Sequence, residues 1–371
     1  MPFNHSYMIT NRANPMSDWS YEQYPLPPSQ LNFFLGAGQY NPNISQFTQS
    51  GPTAQPPTQF LTALTAEARA AGQITVVIHG LDNFFDNATQ LTMHLGAQLT
   101  AQQYSGLVIG FSWPSYGLAD STHYYGSLPY SFPPTATNGT IRDNINGSVQ
   151  SFFTLVSMLR QIKQSTGVRI NFVCHSEGNY MMMLGMRWVS LNQQDPPYIS
   201  LDEILLVAAD INNAALQLPN QEWAGQAHAI ADLSSRVTIY SSQQDDVLPF
   251  AEGWTDYHNP QYPKRLGLHG PASFVPGPGD LDPKAIGLDC TSVVQPLNPN
   301  IPPGVTTHGA YFYIPQVIAD MRDTLNGVAA NGVKDRVSAD APDGRGFVMT
   351  LQAGAEPLRP TGRVLAAPGR G

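Results

Sequence analysis

Five short runs of apolar, largely β-branched residues constrain this fold more than any other feature: Ile74–Ile78 (ITVVI), Leu107–Phe111, Ile170–Val173, Ile204–Ala208 and Val237–Tyr240. None alternates with polar residues. Each therefore reads as a strand buried on both faces, the condition of a parallel sheet covered by helices. Helical patterns lie between the runs. The clearest covers Ile141–Gln164, where Ile141, Ile145, Val149, Phe152, Val156 and Leu159 recur every three or four residues as one apolar stripe. Parallel neighbours need a crossover, and the crossover helix covers the sheet face, so the alternation predicts an α/β fold with a doubly wound, mostly parallel sheet.

Other helices are predicted over Leu61–Ala71, stopped by Gly72, over Asn179–Leu191 and over Tyr311–Leu325. Residues 1–60, rich in Pro, Gln, Asn and Ser, read as an irregular N-terminal arm laid over the main domain of residues 61–327. Within that domain, residues 115–139 form a cap-like insertion and residues 251–305 a Pro/Gly-rich excursion holding one more strand, Ala285–Val293. Residues 328–371 are predicted to be a weakly ordered tail.

Composition excludes several classes. Charged residues make up only 12% of the 371, and the net charge is −9 without a basic stripe, which argues against a nucleic-acid surface. Cys174 and Cys290 are the two cysteines, with no zinc-like spacing, so neither a disulfide framework nor a metal or other cofactor is expected. The N-terminal MPFNHSYMIT lacks the charge and apolar core of a secretory signal, and no apolar run reaches the ~18 residues of a membrane span. These features predict a cytoplasmic protein without an integral membrane segment, although low charge would also suit an exported one.

The most informative stretch is Asn171–Met181 (NFVCHSEGNYM): an apolar strand, a sharp turn with Ser176 at its tip, then a helix. It fits the nucleophile elbow G-x-S-x-G with Cys174 in place of the first glycine. The turn requires small neighbours because the serine backbone is strained so that Oγ is lifted clear of the sheet. The same turn puts the Glu177 N–H at a helix N-terminus, where it can donate to a developing oxyanion. The competing reading makes Ser176 a helix N-cap.

Beyond the elbow, seven short motifs occur in order: Thr10–Arg12 (TNR), His79–Phe85 (HGLDNFF), Phe111–Gly117 (FSWPSYG), His175–Asn179 (HSEGN), Val207–Asp210 (VAAD), Tyr240–Leu248 (YSSQQDDVL) and His308–Phe312 (HGAYF). Together they resemble a family of bacterial α/β hydrolases of uncharacterised function, over roughly residues 8–325. The departures are Glu177 where the family usually has Met, Cys174 in the elbow, and a longer segment before His308. The resemblance implies the α/β-hydrolase fold and a serine hydrolase, and leaves the substrate open. It also implies a second oxyanion donor after the His-Gly turn, assigned to the Leu81 N–H. His79 and His175 read as structural neighbours of these turns.

A serine hydroxyl needs a histidine to take its proton and a carboxylate to orient that histidine, in this fold in the chain order Ser, Asp, His. Asp245 aligns with the family's aspartate; Asp246 is its immediate rival, and Asp210 a second one that more readily caps its own loop. His308 stands before the last helix, as a hydrolase histidine does, with His258 and His269 as competitors. Aromatics of the insertion, namely Trp113, Tyr116, Tyr124, Tyr125, Tyr130 and Phe132, either line a substrate cleft or pack a long loop. Trp113 and Tyr116 are the candidate substrate-binding residues. The expected partner is a small-molecule ester of short to medium acyl chain, cleaved through an acyl-enzyme on Ser176 without metal. A peptidase, amidase or lactonase on the same residues, or a non-catalytic binding scaffold, are the alternatives.

Overall fold

The computed structural model describes residues 5–12, 30–41, 46–81, 83–115, 141–192, 198–217, 227–252, 264–272, 281–339 and 345–350. The apolar runs become the central strands β4 (Gln73–Ile78), β5 (Leu107–Ser112), β6 (Arg169–His175), β7 (Leu201–Val207) and β8 (Ser234–Ser241). A further strand, β9 (Ala285–Asp289), lies in the Pro/Gly-rich excursion and is shorter than its sequence pattern suggested. These strands run parallel in the order β9-β8-β7-β6-β4-β5, the doubly wound arrangement expected. The chain places β5 on one side of β4 and then β6 on the other. This reversal is where parallel sheets open a crevice at their C-terminal edge.

Strict alternation assigns the strand side chains to two layers. Val76 joins Ile170, Phe172 and Ile204 in a cluster under α1 (Pro57–Ala71), α3 (Ile141–Thr166) and α4 (Gly178–Asn192). Its neighbour Val77 faces Leu95, Leu99, Ile318 and Met321, from α2 (Phe85–Ala101) and a late helix, Pro315–Leu325. Of the predicted stripe of α3, Val149, Phe152, Val156 and Leu159 are fully buried, each contributing about 1.5–3 kcal/mol relative to exposure, while the side chains of Ile141 and Ile145 lie outside the described residues. Met181, Met182 and Met183 fill the same layer from α4. Helix α1 stops at Gly72, whose φ of 78° lets its N–H reach back to the Ala68 carbonyl.

Both chain ends depart from the expectations. The N-terminal arm is built into the sheet: β1 (His5–Thr10) pairs parallel with β5, and β2 (Asn32–Asn41) and β3 (Gln46–Ala54) extend it antiparallel. Its polar composition concealed these strands, and only the short runs Tyr7–Ile9 of β1 and Phe33–Leu35 of β2 carry an apolar signal. Part of the tail is also ordered. Strands β10 (Arg336–Ser338) and β11 (Gly346–Met349) complete an 11-stranded sheet, with β11 parallel to β9. The helices between β7 and the late helix are short, α5 (His228–Asp232) and α6 (Leu266–His269), so the late helix is α7 (Pro315–Leu325).

The Arg336 side chain, fully buried, forks onto Asp320 of α7 with two 2.7 Å bonds, while Tyr240 donates to the same carboxylate at 2.6 Å. This charge pair joins the buried Phe347 and Met349 in tying β10 and β11 to the core. Removing one partner of a buried pair of this kind costs about 3–5 kcal/mol. Among the described residues no helix is long and apolar enough to cross a membrane. The cap-like insertion, apart from Ser115, and residues 351–371 lie outside the described residues.

Candidate active site

The turn after β6 has the strained geometry that its sequence demanded. Ser176 adopts φ 55°, a left-handed conformation that costs a non-glycine residue about 1–3 kcal/mol. Its own backbone is tied down on both sides. The Ser176 N–H donates to Val207 O at 3.0 Å, and Ser176 O accepts from the N–H groups of Asn179 and Asp210 and from Asn179 Nδ2. The Ser176 hydroxyl bonds no helix N–H among the described residues, so it is not spent as the N-cap of α4.

Two glycines make the turn possible. A Cβ on Gly178 would lie 2.5 Å from the His79 carbonyl oxygen, and one on Gly80 would lie 2.6 Å from the Ser176 Cβ. Only hydrogen at these positions lets α4 start against the end of β4 and lets the following loop cross directly over the serine. Cys174, at the place of the elbow's first glycine, is fully buried beside Ile78 and Leu206, and burial holds its thiol protonated.

The loop after β4 carries Leu81, partly exposed beside the elbow. Neither the Leu81 N–H nor the Glu177 N–H donates to an acceptor among the described residues, leaving both available to an oxygen held over Ser176. His79 supports this loop. Its Nδ1 bonds Gly80 O at 2.9 Å, and its Nε2 accepts the Trp113 N–H at 3.1 Å, which fixes the neutral Nδ1–H tautomer. Burial, then the nearby Arg12 charge, hold its pKa down to about 3. His79 is therefore a structural prop, as its position at the turn suggested.

On the neighbouring loops, His308 Nδ1 lies 2.7 Å from Asp245 Oδ2. The other carboxylate oxygen of Asp245 accepts the N–H groups of Val247 and Leu248, both at 2.9 Å. With Nδ1–H directed at Asp245, the remaining ring nitrogen of His308 carries the lone pair that can take a proton. Asp246 does something different: its carboxylate accepts the His308 backbone N–H at 3.1 Å. His175 Nε2 bonds the His308 carbonyl oxygen at 2.9 Å, and the two rings lie 4.7 Å apart. The residue preceding Ser176 thus holds His308 beside the elbow. Burial, then the proximity of a second imidazole, His308, keep His175 neutral, with a pKa down to about 3.

The remaining candidates fall elsewhere. His269 pairs with Glu252 at 2.9 Å, and His258 lies outside the described residues. Asp210 faces Arg265 at 3.2 Å rather than any histidine. Trp113 requires a correction: it is fully buried, stacked on His79, and its indole N–H bonds the His79 carbonyl at 2.9 Å, so it cannot line an open cleft. Its motif marked the loop but not the direction of the ring. Tyr116 and the other loop aromatics lie outside the described residues. Among the described residues no group of three or more His, Cys, Asp or Glu could hold a metal.

Sequence reasoning passed over the side chain of Glu177. It is buried beside Asp210 and Arg265, and among the described residues its Oε2 has no hydrogen-bond partner. Burial raises its pKa well above the usual carboxylate range; Asp210 raises it further and Arg265 offsets part of the rise. The fold therefore favours the neutral form of the carboxyl next to the elbow. The one available signal was the substitution of Glu for an apolar residue in a turn that has no room for solvent.

The family described as "Alpha/beta hydrolase of unknown function (DUF900)" matches residues 56–253, just over half of the chain. No curated protein matches it. Among solved structures, a monoclinic form of an esterase from Pyrobaculum calidifontis has 10% identity, covering 69% of this chain and 76% of its own, with a TM-score of 0.34. A second structure, of a hyperthermophilic esterase from the same archaeon, has 9% identity, with 69% and 74% covered and a TM-score of 0.33. Likenesses this loose say nothing about activity, and the assignment rests on the family match and the sheet described above. The chain belongs to the α/β-hydrolase family of unknown function.

Proposed function

We propose that this chain is a serine hydrolase that cleaves carboxylic esters through an acyl-enzyme intermediate. One observation carries the reading: a left-handed serine at a strand-to-helix turn, with a carboxylate-bound histidine tied to the residue before it. As Ser176 Oγ attacks the ester carbonyl, His308 takes the hydroxyl proton on its free ring nitrogen, and Asp245 stabilises the imidazolium. The carbonyl oxygen gains the negative charge, and the N–H groups of Leu81 and Glu177 receive it. Collapse of the tetrahedral species breaks the bond to the alcohol oxygen, which leaves with the proton from His308. Water then gives a proton to His308, attacks the acyl carbon and releases the carboxylic acid, restoring Ser176. The route requires no metal or cofactor.

The test is labelling with a fluorophosphonate, followed by turnover of p-nitrophenyl esters of increasing acyl length. The wild-type chain labels and hydrolyses esters, with the maximum among short to medium acyl chains. Ser176→Ala loses both activities by several powers of ten while remaining folded. A folded Ser176→Ala protein with unchanged ester hydrolysis overturns the assignment, and a wild-type chain that neither labels nor turns over is a binding scaffold.

A further inference from the structure

Arg12 lies two residues past β1, outside the segment matched by the family, and is only 3% exposed. Its guanidinium joins two loops of the site. Nε donates to Ser112 Oγ at 2.9 Å, at the end of β5, and Nη2 donates to Trp113 O and to Asn83 O, both at 2.5 Å. The backbone around it is fixed as well: its N–H bonds Thr10 Oγ1 at 3.1 Å, and Thr10 Oγ1 donates to Ser112 O at 2.6 Å.

Asn83 closes the loop that begins at His79. Its side-chain amide donates back to Gly80 O at 3.2 Å and Leu81 O at 2.8 Å, and its N–H and carbonyl meet Ser115 Oγ at 3.1 and 3.2 Å. The orientation of the Leu81 peptide therefore depends on Asn83, and Asn83 is held from below by Arg12. Burying a guanidinium is expensive, since the effective penalty is several kcal/mol per ion. At Arg12 that cost places a positive charge against the carbonyls of two loops of the site, next to the loop assigned to receive a negative oxygen. Burial lowers the guanidinium pKa to about 9, which leaves it charged at neutral pH, and the same charge depresses the pKa of His79 in the adjoining turn.

We propose that Arg12 is the positioning residue of the oxyanion site: its hydrogen bonds to Asn83 and Trp113 orient the Leu81 N–H, and its buried charge favours negative charge on the bound oxygen. The proposal rests on the esterase reading. It makes the N-terminal strand part of the catalytic apparatus although the strand contributes no reacting group.

The experiment compares wild type, Arg12→Lys, Arg12→Met and Ser112→Ala. It measures kcat and KM on p-nitrophenyl butyrate, the inhibition constant of a trifluoromethyl ketone that forms an oxyanion adduct with serine, and thermal stability. A positioning role predicts that Arg12→Lys lowers kcat about 10- to 100-fold with little change in KM, and that ketone affinity falls by the same factor as kcat/KM. Ser112→Ala, which keeps the guanidinium and removes one of its anchors, shows a smaller loss with the same proportionality and remains informative if the Arg12 variants do not fold. Variants that melt earlier but retain wild-type kcat and ketone affinity when folded overturn the inference and leave the esterase reading intact. A wild-type chain without fluorophosphonate labelling overturns the esterase reading, and this inference with it.

Discussion

The site has two sides built on different principles. On the Ser176 side, the loops after β4 and β6 are fitted by close backbone approach: Gly80 passes over Ser176, Gly178 abuts the His79 carbonyl, and neutral His79 locks the turn. On the His308 side, the loop after β8 and the segment before α7 are fitted by side-chain hydrogen bonds, with Asp245 on the ring of His308, Asp246 on its N–H and His175 on its carbonyl. The first side is limited by volume and the second by polarity. Added atoms should therefore damage one, and lost charges or acceptors the other.

The largest test of this difference is Asp245→Asn. Asparagine preserves the shape but can present an N–H to the imidazole, and the corresponding change in a serine protease, a published case, costs about four powers of ten in kcat. Asp245→Asn should approach that loss with a small change in melting temperature, whereas Asp246→Asn, which touches only the His308 backbone, should lose about tenfold or less. Equal losses from the two variants would mean that the ring bond is not what matters on this side.

Gly80→Ala adds one methyl group on the volume-limited side. Its φ is not in the left-handed region, so the cost is purely steric: a Cβ 2.6 Å from the Ser176 Cβ and 3.2 Å from its Oγ. Displacing the serine or the Leu81 loop should lower kcat by about 10²- to 10³-fold, and, unlike Asp245→Asn, should also lower the melting temperature. If Gly80→Ala melts like wild type while Asp245→Asn does not, the distinction between the two sides fails.

The smallest effect concerns Glu177. Its folded-state pKa is raised, so above the ordinary carboxylate pKa the unfolded chain ionises first and binds fewer protons than the folded one. Stability from this group is therefore intact below that pKa and is lost as pH rises through the window up to the folded value. Glu177→Gln should melt higher than wild type at neutral and alkaline pH, with the gain disappearing as pH falls towards the ordinary carboxylate range. Melting curves across pH check this, and a difference that grows on acidification would show that the carboxyl is ionised in the fold.

How much of this was legible follows from what a sequence pattern encodes. Runs such as Ile74–Ile78 announce double-sided burial, and the parallel order follows from the crossover helices. The turn at Ser176 was legible because strain, small neighbours and a following helix leave a local trace. Asp245 and Asp246 were inseparable by pattern, since adjacent residues share every local signal and differ only in direction. Trp113 was misread for the same reason. The strands of residues 5–54 were missed because their short apolar stretches sit among polar residues: β1 is a brief internal strand, and β2 and β3 extend the edge by antiparallel pairing, which needs no continuous apolar run. The motif Thr10–Arg12 marked Arg12 but not its task, which shows only when Asn83 and Trp113 are brought to it from about 70 and 100 residues away.

Strand β1, which precedes its neighbours in the chain, lies inside the sheet between β2 and β5. Its bond from Thr10 to Ser112 closes 102 residues of chain, and at a synthesis rate of about 5–20 residues per second that partner arrives roughly 5–20 s later. Until then the edge of β1 that pairs with β5 is unfilled, and the backbone of Tyr7 to Thr10 lacks its parallel partner. The nascent chain therefore carries an unfilled strand position through several seconds of growth. That interval is when a chaperone or a fused N-terminal tag would most affect the yield of native protein.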